Sequence, residues 1–130
     1  MTHLVFVYGS LRAGHYNHGL LKGSTCLSNE ALYVGGRMHS LGAFPAVVKG
    51  VGAINGELYE VDEETFSALD RLEGHPTFYK REKQIINLKG VDEREAWVYL
   101  FQEEAHLGPH NLVDTGDWSD VRTPTSQACA

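Results

Sequence analysis

Four apolar residues near the start, Leu4-Val5-Phe6-Val7, run straight into Tyr8-Gly9-Ser10-Leu11-Arg12. A short run of β-branched and aromatic residues closed by a glycine reads as a buried strand. The strand therefore ends at Tyr8, and Gly9 opens a tight turn at its carboxyl end. Lacking a Cβ, Gly9 can adopt positive φ and let a ligand approach the backbone amides closely. Successive amides in such a turn, over Tyr8, Gly9, Ser10 and Leu11, can converge into a nest for a carboxylate or phosphate. Arg12 adds a fixed positive charge. The plain alternative is an ordinary strand-to-loop turn, which Gly-Ser pairs commonly make.

The 130 residues suffice for one domain with a real core. The net charge of −6 argues against binding a phosphate backbone, which needs a basic face. No apolar stretch approaches the roughly 18 residues of a membrane span. Met1-Thr2-His3 leads into the first strand with no signal-peptide core, so the expected compartment is the cytoplasm. Two cysteines, Cys26 and Cys129, do not make a disulfide framework, and Cys26 reads as a small apolar side chain.

Along the chain, Asn17 to Lys22 reads as a short helical turn ended by Gly23. Glu30 to His39 reads as a strand with Leu32, Val34 and Met38 on alternate positions, bent at Gly35-Gly36. Gly50 and Gly52 are expected to break the chain before a strand over Ile54 to Val61. Asp62 stands at an N-cap position, with Glu63 and Glu64 in the first turn of a helix. Phe66, Leu69 and Leu72 give that helix one buried stripe, and Gly74 stops it. Phe78 to Leu88 and Glu95 to Phe101 form a hairpin around the turn 89–92. Leu112 and Val113 are expected to pack, and Trp118 to fold back. The domain is therefore placed at 1–118 and a tail at 119–130. Many strands, one clear helix and 14 glycines predict an α+β fold with a strongly bent sheet or small β-barrel.

Glu73 is the most informative ionisable residue, in Leu69-Asp70-Arg71-Leu72-Glu73-Gly74 at the last helical turn. The negative end of the helix dipole disfavours a second negative charge, so its carboxyl is expected to titrate high. Such a group can both take and return a proton. The alternative is a solvated glutamate beside Arg71. Tyr79, just past the helix, is placed to point its hydroxyl toward the same space; the alternative is an aromatic packed on the sheet. The histidine pairs His15/His18 and His106/His110 lie on no credible helix and lack zinc-site spacing, so no metal is expected. Ser10 lacks a nucleophile elbow, and the glycine loop is neither a Walker A nor a dinucleotide fingerprint.

Taken in order, Phe6 to Arg12, Gly42 to Pro45, Gly56-Glu57-Leu58-Tyr59, Leu69 to Gly74 and Tyr79-Lys80-Arg81 resemble the gamma-glutamylcyclotransferase-like family, particularly its small gamma-glutamylamine cyclotransferase branch. The resemblance covers nearly the whole chain up to Trp118. It implies a mixed small β-barrel with few flanking helices and a cavity at its mouth. It further implies that Tyr8, Gly9, Ser10 and Leu11 hold the substrate, that Glu73 is the acid–base residue, and that Tyr79 lines the same cavity. The implied chemistry, of acyltransferase or lyase type, is cyclisation of a γ-glutamyl group to 5-oxoproline with release of an amine. It needs no metal or organic cofactor, and the only implied partner is the small-molecule substrate. The alternative is a non-catalytic carboxylate-binding or regulatory module of the same fold, which has no need of Glu73.

Overall fold

Strand β1 (Thr2–Val7) has a neighbour on each edge. It runs antiparallel to β3 (Pro45–Asp62), from Thr2 opposite Asp62 to Val7 opposite Glu57. Its other edge runs parallel to β5 (Glu93–Phe101) through Val5–Trp97 and Phe6–Val98. The computed structural model describes residues 2–9, 18–21, 23–41, 45–88, 92–102, 112–113 and 116. The expected helical turn before Gly23 is a 3-10 turn at His18–Leu21, and Gly23 has φ +88°.

The long strands β2 (Thr25–Ser40) and β3 pair antiparallel, and β4 (Tyr79–Asn87) pairs with β5 as the expected hairpin. The two-residue β6 (Leu112–Val113) adds to β2. Because β2 touches both β3 and β4, the sheet curls back on itself. The β1–β5 and β2–β4 seams are only two residue pairs each. The result is a strongly bent sheet; the small β-barrel expected as the other form overstates its regularity.

Glycines supply the bend. The register of β2 on β3 slips between Val34 and Gly36, where Gly35 has φ +110°. A β-bulge exchanges the faces that alternate residues present. Before it Ala31 and Tyr33 point inward and Val34 is 64% exposed; after it Met38 is buried. The simple alternation of Leu32, Val34 and Met38 therefore does not hold. Gly50 and Gly52 do not break the chain either. They lie within β3, where Gly52, at φ +149°, approaches the Gly36 carbonyl so closely that a Cβ would stand 2.8 Å from it.

Both faces of the sheet are covered. Phe6 and Tyr8 pack inside the bend with Tyr33, Ile54, Leu58, Ile86 and Val98. Val5 and Val7 face the other way, into a cluster with Tyr79, Tyr99 and the helix residues Phe66 and Leu69. Cys26 packs against that second cluster and is disulfide-bonded, which corrects its reading as a simple apolar filler. Among the described residues no helix is long and apolar enough to cross a membrane.

The helix α1 (Glu63–Glu73) starts where its cap demands. Asp62 accepts the Thr65 amide at 2.7 Å, and hydrogen bonds from the Thr65 hydroxyl and then its amide hold the Asp62 carboxyl below its usual range. Gly74, at φ 65°, ends it. The Gly74 amide donates to the Arg71 carbonyl and the His75 amide to the Asp70 carbonyl, the Schellman pattern. Leu72 departs from the expected stripe: it is 40% exposed, while Phe66 and Leu69 are buried.

Candidate functional site

Glu73 is the last residue of α1, so the chain turns away immediately beyond it. It makes no hydrogen bond or ion pair among the described residues. Burial pushes its carboxyl from 4.5 up to about 7. The direction agrees with the expectation, and loss of water around the charge raises it. A carboxyl balanced near neutrality is chemically able to act as base and then as acid.

Three tyrosines from three parts of the sheet feel this charge. Tyr8 follows β1, Tyr79 begins β4, and Tyr99 lies on β5. Burial, and then neighbouring charges that include Glu73, push all three phenols well above their usual range. Their hydroxyls therefore stay protonated and neutral. Each donates to a fixed partner: Tyr8 to the Tyr99 carbonyl at 2.5 Å, Tyr79 to the Pro45 carbonyl at 2.5 Å, and Tyr99 to Asp70 Oδ1 at 2.6 Å. The Tyr8 oxygen also accepts from the Val47 backbone, and the Tyr99 oxygen from Arg81. Tyr79 donates once and keeps lone pairs with which to accept. It can thus offer an acceptor to an ammonium group beside a carboxyl that can take its proton.

Of the two freedoms a glycine offers at this turn, Gly9 uses space and not positive φ, which it does not adopt. A Cβ there would stand 2.8 Å from Pro45 Cγ. Pro45 thus abuts the turn after β1 on one side and binds Tyr79 on the other. Of the expected substrate-holding residues Tyr8, Gly9, Ser10, Leu11 and Tyr79, the structure brings Tyr8 and Tyr79 into the neighbourhood of Glu73 and places Gly9 against Pro45. Ser10 and Leu11 lie outside the described residues. So do His15, His106 and His110 and the side chain of His18. Among the described residues no three His, Cys, Asp or Glu side chains form a group that could hold a metal ion.

Sequence reasoning passed over Asp70 and Tyr99. The Asp70 carboxylate accepts Arg81 Nε at 2.8 Å and Nη2 at 3.0 Å as well as the Tyr99 hydroxyl. Burial alone would raise its carboxyl, but the hydrogen bonds and charge of Arg81, with Tyr99, hold it below the usual range. Arg81 lies over the rings of Phe66 at 4.3 Å and Trp97 at 4.6 Å. The available signal was spacing: Asp70 and Glu73 stand three apart on one helix, which places them on the same side.

The family model described as "Gamma-glutamyl cyclotransferase, AIG2-like" matches residues 5–120. A Vibrio cholerae serotype O1 protein is 42% identical over 118 residues, covering 91% of this chain and 96% of its own. A Methanocaldococcus jannaschii protein is 41% identical over 127 residues, covering 91% of this chain and 97% of its own. Both bear the name "Putative gamma-glutamylcyclotransferase". The crystal structure of YkqA from Bacillus subtilis superposes with a TM-score of 0.76 at 30% identity, over 92% of this chain and 40% of YkqA.

Proposed function

The chain belongs to the gamma-glutamyl cyclotransferase, AIG2-like family, and on that premise we propose that it cyclises a γ-glutamyl group to 5-oxoproline, with Glu73 carrying the protons. The observation that supports this reading is the state of Glu73: without a partner among the described residues, balanced near neutral pH, and close enough to three protonated phenols to act on each.

The reaction is an intramolecular aminolysis. Ionised Glu73 takes a proton from the substrate α-ammonium, freeing the amine to attack its own γ-carbonyl carbon. A C–N bond forms, and the carbonyl oxygen takes up the electron pair. The ring nitrogen then loses its second surplus proton, and the leaving nitrogen receives both as its bond to carbon breaks. The amine departs as an ammonium ion, and Glu73 ends as it began. Nucleophile and electrophile share one chain, so holding the folded substrate supplies much of the advantage. The phenolic oxygen of Tyr79 would accept from the α-ammonium, Tyr8 would line the same space, and amides of the Tyr8–Leu11 turn would face the developing oxyanion. The small-molecule γ-glutamyl substrate is the only partner this chemistry requires.

A panel of γ-glutamyl amides, γ-glutamylamines and γ-glutamyl peptides, assayed for 5-oxoproline, tests the proposal. Release from at least one class is expected. Binding without release from any would reject it in favour of a carboxylate-binding module.

A further inference from the structure

The β2–β4 seam consists of Leu32–Asn87 and Tyr33–Ile86, so the first half of β4 has no strand beside it on that edge among the described residues. In that half the backbone amide of Arg81 donates to a side chain: His75 Nδ1 accepts it at 3.2 Å. His75 stands two residues past Glu73, in the loop between α1 and β4. Its own amide donates to the Asp70 carbonyl at 3.0 Å and so closes the last turn of α1. One residue therefore holds the helix end with its backbone and β4 with its side chain. Glu73 lies within the turn so closed.

A backbone amide can only donate, so Nδ1 must offer a lone pair. The ring bonded in this way is the neutral imidazole with its proton on Nε2. An imidazolium carries a proton on both nitrogens and cannot accept the amide. On β5 the ring faces Tyr99, edge-on with centroids 6.5 Å apart. On α1 the Asp70 carboxylate lies close enough to respond to a charge on His75. On β4 the other charged group is the Arg81 guanidinium, which is forked onto that same Asp70. Asp70 thus already accepts from two Arg81 nitrogens and from Tyr99. A protonated ring is drawn toward Asp70 and loses the Arg81 amide.

We infer that His75 is a positioning residue for Glu73: as the neutral imidazole it latches the closing turn of α1 to β4, and protonation releases that latch. The effect on turnover rests on the acid–base reading of Glu73, while the latch itself can be tested without turnover. Glu73 has no hydrogen bond of its own among the described residues, so the backbone that carries it sets its position. The Asp70–Arg81 fork and the Tyr99 bond to Asp70 hold the turn before Glu73, and the His75 bond holds it beyond. Misplacing a proton-transfer group by about 1 Å can cost up to about 10²-fold in rate. Turnover should therefore fall as His75 takes its proton, in addition to the loss from protonating Glu73.

The experiment is a nitrogen and proton NMR titration of the full chain from about pH 5 to 9, around the span in which histidine ordinarily changes charge. 5-Oxoproline release is measured beside it. At the alkaline end the His75 ring should show the Nε2–H tautomer, and the Arg81 amide signal should shift with the midpoint of the ring. His75→Asn places a carboxamide oxygen where Nδ1 stood and takes no proton in this range. There the Arg81 amide should lose the step at the His75 midpoint. At about pH 8 its kcat should stay within about threefold of wild type, and its acid limb should lack the step that His75 adds. His75→Ala removes the acceptor. Hydrogen exchange at the amides of residues 74 and 75 should quicken about 10-fold, and kcat should fall about 10-fold across the range, with KM changed less. A merely structural histidine would leave wild type and His75→Asn with the same pH profile, and that result overturns the inference. So does a ring found as the Nδ1–H tautomer, an Arg81 amide that ignores the titration of the ring, or wild-type exchange in His75→Ala. The ring and amide signals need neither turnover nor a variant. A chain that releases no 5-oxoproline therefore loses the acid–base reading of Glu73, and those signals still decide the latch.

Discussion

Tyr79 donates its hydroxyl to the carbonyl oxygen of Pro45, at 2.5 Å and with both residues buried. The bond joins the start of β4 to the start of β3, two points 34 residues apart in sequence. Pro45 also presses against Gly9, so one proline sets the distance between the turn after β1 and the tyrosine beside Glu73.

Gly9→Ala therefore tests the turn. The new methyl would meet Pro45 Cγ at 2.8 Å and Cδ at 3.1 Å, and both atoms belong to a buried ring. Overpacking of this kind costs about 1–3 kcal/mol. Gly19→Ala, at an exposed site with nothing among the described residues within 4 Å, should stay within about 0.5 kcal/mol of wild type. Chemical denaturation of both variants makes the comparison, and equal stabilities would show that the Gly9–Pro45 contact is easily relieved.

Tyr79→Phe leaves the Pro45 carbonyl without its donor. An unsatisfied buried acceptor costs about 1–3 kcal/mol, so the denaturation midpoint should drop. Because the phenol is proposed to accept from the substrate and not to move its protons, KM should rise, with kcat reduced less than in Glu73→Gln. Steady-state kinetics on the responsive γ-glutamyl substrate check this. A kcat loss as deep as that of Glu73→Gln would assign the proton transfer to the tyrosine.

Local chemistry made α1 legible from the sequence. Asp62, the two glutamates after it and Gly74 act within one turn of themselves, and cap and stop fall where they should. Long-range pairing was harder to read. The bulge at Val34–Gly36 reverses the alternation within β2, and Gly52 lies within β3 against the Gly36 carbonyl, a contact no local pattern reveals. The site divides in the same way. Glu73 announced itself by standing at a helix end, while the burial that raises its carboxyl depends on the sheet packed around it. Tyr99 could not announce itself, since its relation to Asp70 depends on β5 lying beside the helix end, 29 residues away. Leu72 had the right spacing to be buried and is not, because the helix stripe narrows to Phe66 and Leu69.

The buried Glu73 carboxyl also makes a prediction about stability. A carboxyl raised from 4.5 to about 7 holds its proton more tightly in the folded chain than in the unfolded one. Folding stability from this group is therefore fully present below about pH 4.5 and is lost as pH rises to about 7. Ionisation should cost up to about 3 kcal/mol. Glutamine never ionises, so Glu73→Gln should melt above wild type at pH 8 and together with it near pH 4. Melting curves across this range decide the matter. A variant that melts at or below wild type at pH 8 would mean the wild-type carboxylate is comfortably solvated.

The most direct measurement is 5-oxoproline release by wild type and Glu73→Gln at matched concentration, on whichever γ-glutamyl substrate the wild type accepts. Glutamine keeps the shape and hydrogen-bonding reach but cannot carry protons between nitrogens. General acid–base catalysis contributes about 10²–10⁴-fold, and the variant should lose turnover on that scale while still binding substrate. Equal rates in the two proteins would contradict the account.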